Sequence, residues 1–218
     1  MESYIKFENI SKRFKQEQVL KDINFELEKG KIYGFVGRNG SGKTVIFKLL
    51  TGLLRPTEGN IYINEINMTK SKRFPESIGV LIETPGFIPH YSGLKNLKVL
   101  NSLSKEKADV QKVKDSMKLV GLDADNNKPV KTYSLGMKQK LGIAQAIMNK
   151  PKLLILDEPM NGLDEQSVGR MREFFQNLKQ NKEVTILLAS HNKEDIQILC
   201  DKLFYIDNGV ITAVDEVK

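Results

Sequence analysis

The chain has 218 residues, 40% of them hydrophobic and 28% charged, with 34 Lys and Arg against 27 Asp and Glu for a net charge of +7. That length suits one domain with a sizeable buried core, no apolar run approaches the roughly 20 residues of a membrane span, and "MESYIKFENI" lacks the pattern of a secretory signal. A single cysteine, Cys200, excludes an internal disulfide and fits a reducing cytoplasm, where it reads as a buried or half-buried helix residue.

The first third alternates short strand-like runs with turns. "YIKFENI" and "INFELEKG" read as edge or antiparallel strands and "KIYGFVG" as a buried one. "GRNGSGKT" follows directly, "KTVIFKLLTG" reads as a short helix stopped by Gly52, and "GNIYINEI" as a hairpin strand. "IGVLIETPGF", residues 78–87, is an apolar strand run that ends on a carboxylate, Glu83.

From about Gly86 the hydrophobic period becomes helical. Leu94, Leu97, Leu100 and Leu103 form one stripe, and Val110, Val113, Met117 and Val120 form the next. A polar loop, "DADNNKPVKTY", precedes a helix from about Leu135 to Asn149, which Lys150-Pro151 ends. "LLILD" and "VTILLAS" then read as buried strands on either side of a helix marked by Val168, Met171, Phe175 and Leu178, and "KLFYIDNGVITAV" as a closing hairpin around Asn208-Gly209. The fold class is therefore α/β: a core over residues 1–85 and 151–218, interrupted by a helical subdomain over 86–150. The charge follows the same division. Residues 86–150 hold 12 lysines, no arginine and 5 acids (Glu106, Asp109, Asp115, Asp123, Asp125), while the remainder balances.

"GRNGSGKT", Gly37 to Thr44, satisfies G-x-x-x-x-G-K-[ST] with a strand before it and a helix after it, the context of a P-loop. Glycines at 37, 40 and 42 let backbone N–H groups point at phosphate, aided by the helix N-terminus. Lys43 reaches the terminal phosphates and Thr44 offers a hydroxyl to Mg²⁺. Such a loop needs a carboxylate at a neighbouring strand end. "LLILDEP" supplies Asp157 as a metal ligand and Glu158 to orient or deprotonate the attacking water.

In this order the motifs resemble the ATPase subunit of ATP-binding-cassette (ABC) transporters over essentially the whole chain. The D-loop of that family matches "NGLD", with Asp164; its switch histidine matches His191 in "LLASH"; its adenine-stacking aromatic matches Phe14 in "SKRFK". Its signature, ideally L-S-G-G-Q, matches "YSLGM", which keeps Ser134 and Gly136 and departs at Leu135 and Met137. The resemblance implies a P-loop NTPase core with a mixed, mainly parallel sheet and an N-terminal antiparallel part. It implies ATP and Mg²⁺ as cofactors. The whole loop, Gly37, Arg38, Asn39, Gly40, Ser41, Gly42, Lys43 and Thr44, would hold phosphate in one chain while Ser134 and Gly136 of a second copy close the site, and Asp164 would couple the two sites across the dimer. It also implies a separate transmembrane permease, no nucleic acid, and a peripheral position on the cytoplasmic face of the membrane, where the lysines of the helical subdomain would meet anionic lipid.

Most cassettes carry glutamine where this chain has Glu83, so that with Asp157 and Glu158 three carboxylates would surround one metal, with Thr44 and Glu83 among its ligands. "LIETPGF" together with "YSLGMKQKLGIA" resembles the subgroup that exports bacitracin and lantibiotic peptides. The alternative class, a soluble ABC ATPase acting on ribosomes or DNA, would carry two cassettes or long coiled coils, and this chain has one P-loop and no sustained heptads. A P-loop kinase or GTPase would lack "YSLGM" and "NGLD".

Overall fold

The computed structural model describes residues 3–71, 74–104, 109–181 and 184–217, so that Lys105, Glu106 and Lys107 of the charge count lie outside the described residues. Two sheets organise the chain. A four-stranded antiparallel sheet has the order β2-β1-β4-β5, from β1 (Ile5–Phe14), β2 (Glu17–Leu27), β4 (Glu58–Ile63) and β5 (Ile66–Asn67). Its alternation sets the inner face: Ile5, Phe7, Ile23, Phe25 and Leu27 are buried, whereas Lys6, Glu8 and Glu26 form ion pairs on the outside.

The second sheet has six strands in the order β10-β9-β3-β8-β7-β6. They are β3 (Ile32–Val36), β6 (Ile78–Leu81), β7 (Leu153–Asp157), β8 (Thr185–Ala189), β9 (Lys202–Asp207) and β10 (Val210–Glu216), all parallel except β10, which pairs antiparallel with β9. Continuous apolar runs form these strands because both faces are covered. In β7, Leu153 and Ile155 join Phe25, Phe35 and Phe204 in the core facing the antiparallel sheet, while Leu154 and Leu156 join the core beneath the helices. Asn208 and Gly209 turn the β9–β10 hairpin with φ of 47° and 77°, the left-handed pair that a two-residue hairpin loop requires.

Six α-helices among the described residues complete the fold: α1 (Lys43–Leu50), α2 (Gly93–Ser102), α3 (Val110–Leu119), α4 (Leu135–Ile147), α5 (Glu165–Gln180) and α6 (Lys193–Leu199). Side-chain caps start five of them, on Ser92, Asp109, Ser134, Asp164 and Asn192. Helix α1 begins instead on Gly42, with no side-chain cap.

Helices α2 to α4 lie between β6 and β7 in sequence and share one core with the parallel sheet, where Leu97, Val113, Met117 and Leu141 cluster with Leu81, Leu156 and Leu188. Gly79 permits the approach, since a Cβ there would lie 2.0 Å from the carbonyl oxygen of Ala146 on α4. The expected leucine stripe of α2 is corrected at its end. Leu97 is buried and Leu94 and Leu100 pack partly, but the helix stops at Ser102 and Leu103 is 77% exposed. Asn96 and Asn101 occupy buried positions of α2, and Asn96 accepts from the Ile88 N–H at 2.7 Å while donating to the Ile88 carbonyl at 3.1 Å. Val110, the first residue of α3, is also exposed, whereas Val113, Met117 and Val120 are buried as their spacing predicts. Cys200 is buried immediately beyond α6, as its C-cap.

Candidate active site

The carboxyl ends of β3, β8, β7 and β6, four neighbours in the parallel sheet, converge on one edge, where open α/β sheets hold ligands. From β3 the chain enters the Gly37–Thr44 loop; β7 delivers Asp157, β8 leads to His191, and β6 ends two residues before Glu83.

In the loop, Gly40 and Gly42 take φ of 81° and 113°, and a Cβ on Gly37 would lie 2.2 Å from the carbonyl oxygen of Ile206. Lys43 donates from Nζ to the carbonyls of Gly37 at 2.6 Å and Arg38 at 3.0 Å, so its ammonium lies beneath the concavity. Without a side-chain cap, the first N–H groups of α1 are available to an anion. The Ser41 hydroxyl is buried and without a hydrogen-bond partner among the described residues.

Thr44, one residue into α1, donates from Oγ1 to Asp157 Oδ2 at 2.6 Å. A hydroxyl and a carboxylate are hard oxygen donors, and one or two such groups completed by phosphate and water is how Mg²⁺ is ordinarily held. The residues present therefore fit that ion. The three-carboxylate arrangement is not assembled: among the described residues no group of three His, Cys, Asp or Glu could hold a metal. Glu83 instead pairs through Oε1 with Lys48 Nζ at 2.6 Å, one helical turn beyond Thr44. Repulsion among three like charges opposes their gathering, and a lysine stands within reach of this one.

Glu158 occupies the left-handed region, with φ of 50°. Its N–H donates to the Ala189 carbonyl at 2.9 Å, which ties it to the end of β8. Its Oε2 lies 2.9 Å from His191 Nδ1 and also accepts from the His191 backbone N–H at 3.4 Å. Gln139, on α4, donates from Nε2 to the carbonyls of Glu158 at 2.9 Å and Pro159 at 3.2 Å. Sequence reasoning missed both Gln139 and Lys48. The signal for Gln139 was a polar residue on the buried side of an apolar helix, and for Lys48 it was its position four residues after Thr44.

A cleft of about 640 Å³ opens over this edge. Asn39, Gly40, Gly42, Lys43 and Thr44 line it together with Glu83, Asp157 and Glu158. Phe14 is outside that lining, 41% exposed at the end of β1 with Lys12 Nζ 4.9 Å from its ring centre, but its strand partner Glu17 does border the cleft. Ser134 accepts from the Met137 N–H at 3.2 Å as the cap of α4, and Gly136 comes so near the loop before α5 that a Cβ would lie 2.7 Å from the Gly162 carbonyl oxygen. Asp164 caps α5: the Ser167 N–H, and then its hydroxyl, hold the carboxyl below its ordinary pKa. The structure thus gathers the loop, Asp157, Glu158, His191 and Glu83 at one edge, and gives Ser134 and Asp164 helix-capping roles.

The family model for ABC transporters matches residues 20–161. The chain is 42% identical over 210 residues to the uncharacterised ABC transporter ATP-binding protein YybJ of Bacillus subtilis, covering 96% of this chain and 95% of that one. It is 39% identical to the bacitracin transport ATP-binding protein BcrA of Enterococcus faecalis, over 100% of this chain and 70% of that one. It is 37% identical to the lantibiotic transport ATP-binding protein SrtF of Streptococcus pyogenes, over 97% and 90%. Among solved structures, the dimeric cassette MJ0796 superposes with a TM-score of 0.90 at 21% identity, over 98% of this chain and 99% of that one, a likeness of fold.

Proposed function

This chain belongs to the ABC transporter family, as an ATP-binding and ATP-hydrolysing subunit, and from that premise we propose how its residues bind nucleotide and power an exporter of antimicrobial peptides. The observation that carries the reading is the Thr44–Asp157 hydrogen bond of 2.6 Å at the foot of the phosphate loop, beside a glutamate held by a histidine.

The backbone N–H groups from Gly37 to Thr44 would receive the phosphates, with Arg38, Asn39 and Ser41 as loop residues and Lys43 turning from the loop carbonyls toward the incoming negative charge. Thr44 and Asp157 would hold Mg²⁺, with Glu83 as a further oxygen donor; the ion supplies neutralisation of charge on the phosphates. Glu158 would take the proton of the attacking water, positioned by the Gln139 and Ala189 contacts to its backbone, and His191 would contact the γ-phosphate. Phe14 would stack on adenine beside Glu17.

Two copies would stack head to tail, so that Ser134 and Gly136 of one face the loop of the other and Asp164 links the sites. A separate transmembrane permease would receive the helical subdomain at the cytoplasmic face. No helix among the described residues is long and apolar enough to cross a membrane. The names of BcrA and SrtF point to peptide cargo. No relative reported above favours the ribosome or nucleic acid alternative.

The test is phosphate release by the purified chain with its permease in vesicles. Mg²⁺-dependent hydrolysis stimulated by bacitracin or a lantibiotic is the expected result. Hydrolysis indifferent to every peptide tried, or none at all, would overturn the cargo or the enzymatic reading respectively.

A further inference from the structure

Glu83 and Glu158 leave the sheet alike. Strands β6 and β7 pair in register up to Leu81 and Leu156, and two residues further each chain carries a glutamate in the left-handed region, at φ of 57° and 50°. Left-handed glutamates are uncommon, and at these two positions the backbone leaves both residues lining the cleft. The two carboxylates then part company. Glu158 meets His191, whereas Glu83 meets Lys48.

Lys48 and Thr44 are four residues apart on α1 and so share one face of the helix. That face presents a hydroxyl to Asp157 and an ammonium to Glu83, both at 2.6 Å. Glu83 lines the cleft; the Lys48 side chain is 28% exposed and that of Glu83 61%, so the pair is only partly shielded from solvent. Lys48 holds Oε1 and draws the carboxylate toward α1, so a cation at Thr44 and Asp157 must compete with that ammonium for the group's position and charge.

We infer that Lys48 is a positioning residue for Glu83, competing with the divalent cation at the Thr44–Asp157 pair for its carboxylate, so that breaking the Lys48–Glu83 pair accompanies loading of the metal and nucleotide. The inference rests on the reading of Thr44 and Asp157 as the metal site. It gives the Gln-to-Glu departure a physical consequence: a neutral amide forms no ion pair with Lys48, whereas Glu83 is drawn by two cations in turn.

The experiment measures equilibrium binding of a fluorescent, non-hydrolysable ATP analogue to the full chain while Mg²⁺ is titrated, with Mn²⁺ paramagnetic resonance as a second readout. Lys48→Met should lower the Mg²⁺ midpoint about two- to fivefold, the range of a partly exposed ion pair, and Glu83→Gln should raise it. In the Glu83→Gln background, Lys48→Met should move it no further. An unchanged midpoint in Lys48→Met, or the same shift with Glu83 already replaced, overturns the inference. Lys48→Gln repeats the test if the methionine variant melts early. Asp157→Asn separates the two claims: if it leaves Mg²⁺-dependent binding intact, the metal-site reading itself fails.

Discussion

His191 reaches Glu158 twice, with Nδ1 at 2.9 Å and with its backbone N–H at 3.4 Å from the same carboxylate oxygen. The histidine is 72% exposed along its side chain and the glutamate only 27%. The shielded partner is therefore the one suited to act as base, and the exposed one is free to turn toward a ligand. Glu158→Gln should keep nucleotide binding and lose about 10²- to 10⁴-fold in turnover, the range of general-base catalysis. His191→Ala should lose turnover while the melting temperature holds. Phosphate release and nucleotide titration on the same preparations check both.

Between α5 and α6, Arg172 donates to Asp195 at 2.8 Å through Nε and to Glu194 at 3.0 Å through Nη2. Asp195 is 1% exposed and its second oxygen has no hydrogen-bond partner among the described residues. Arg172→Met would leave a buried carboxylate uncompensated and should destabilise the fold by about 3–5 kcal/mol. Urea unfolding of the variant against the parent measures it, and Asp195→Asn should recover part of the loss.

The Asp164 cap carries a pH signature. Its carboxyl pKa is lowered in the folded chain by the Ser167 N–H and hydroxyl, so the unfolded state binds the proton more readily as pH falls. Its stabilising contribution is present above the unfolded carboxylate value and is lost as pH drops through the lowered one. Asp164→Ala should therefore melt below the parent at neutral pH, and the gap should narrow as pH falls below the ordinary carboxylate value. A gap that stays constant across that range would mean the carboxylate charge contributes nothing.

Lys98, Lys118, Lys128 and Lys131 are exposed in the segment between β6 and β7. If the segment's charge orients the chain at the membrane, replacing these four by Gln should weaken co-sedimentation with vesicles containing anionic lipid, with each lysine near the surface contributing about 1 kcal/mol. Raising the salt should erase the difference between parent and variant. Equal sedimentation at low salt would assign these lysines to solubility alone.

Most strands and helices were legible from periodicity, because continuous apolar runs give covered strands and 3.6-residue stripes give packed helices. The conformation of the Gly37–Thr44 loop was legible from its glycines, since φ of 81° and 113° and an approach of 2.2 Å leave little choice of residue. What escaped was pairing between distant segments. Lys48 and Glu83 are 35 residues apart and Gln139 and Glu158 are 19 apart, and neither pair follows any local period. The end of α2 escaped as well, since the leucine spacing runs on to Leu103 while the helix stops at Ser102 and Asn101 takes the buried position there.

Helix α4 is capped by Ser134, the residue proposed to meet the partner's nucleotide, and five residues further on it carries Gln139, which donates to the backbone carbonyls of this chain's own Glu158 and Pro159. Those two points are about 7.5 Å apart on one rod. In the proposed dimer, a tilt of the rod toward the partner's phosphates would also pull the turn that aims this chain's Glu158. The two catalytic halves of a dimer built from such chains would thus keep a common clock: closure on one side would tune the chemistry on the other before either ATP is cut.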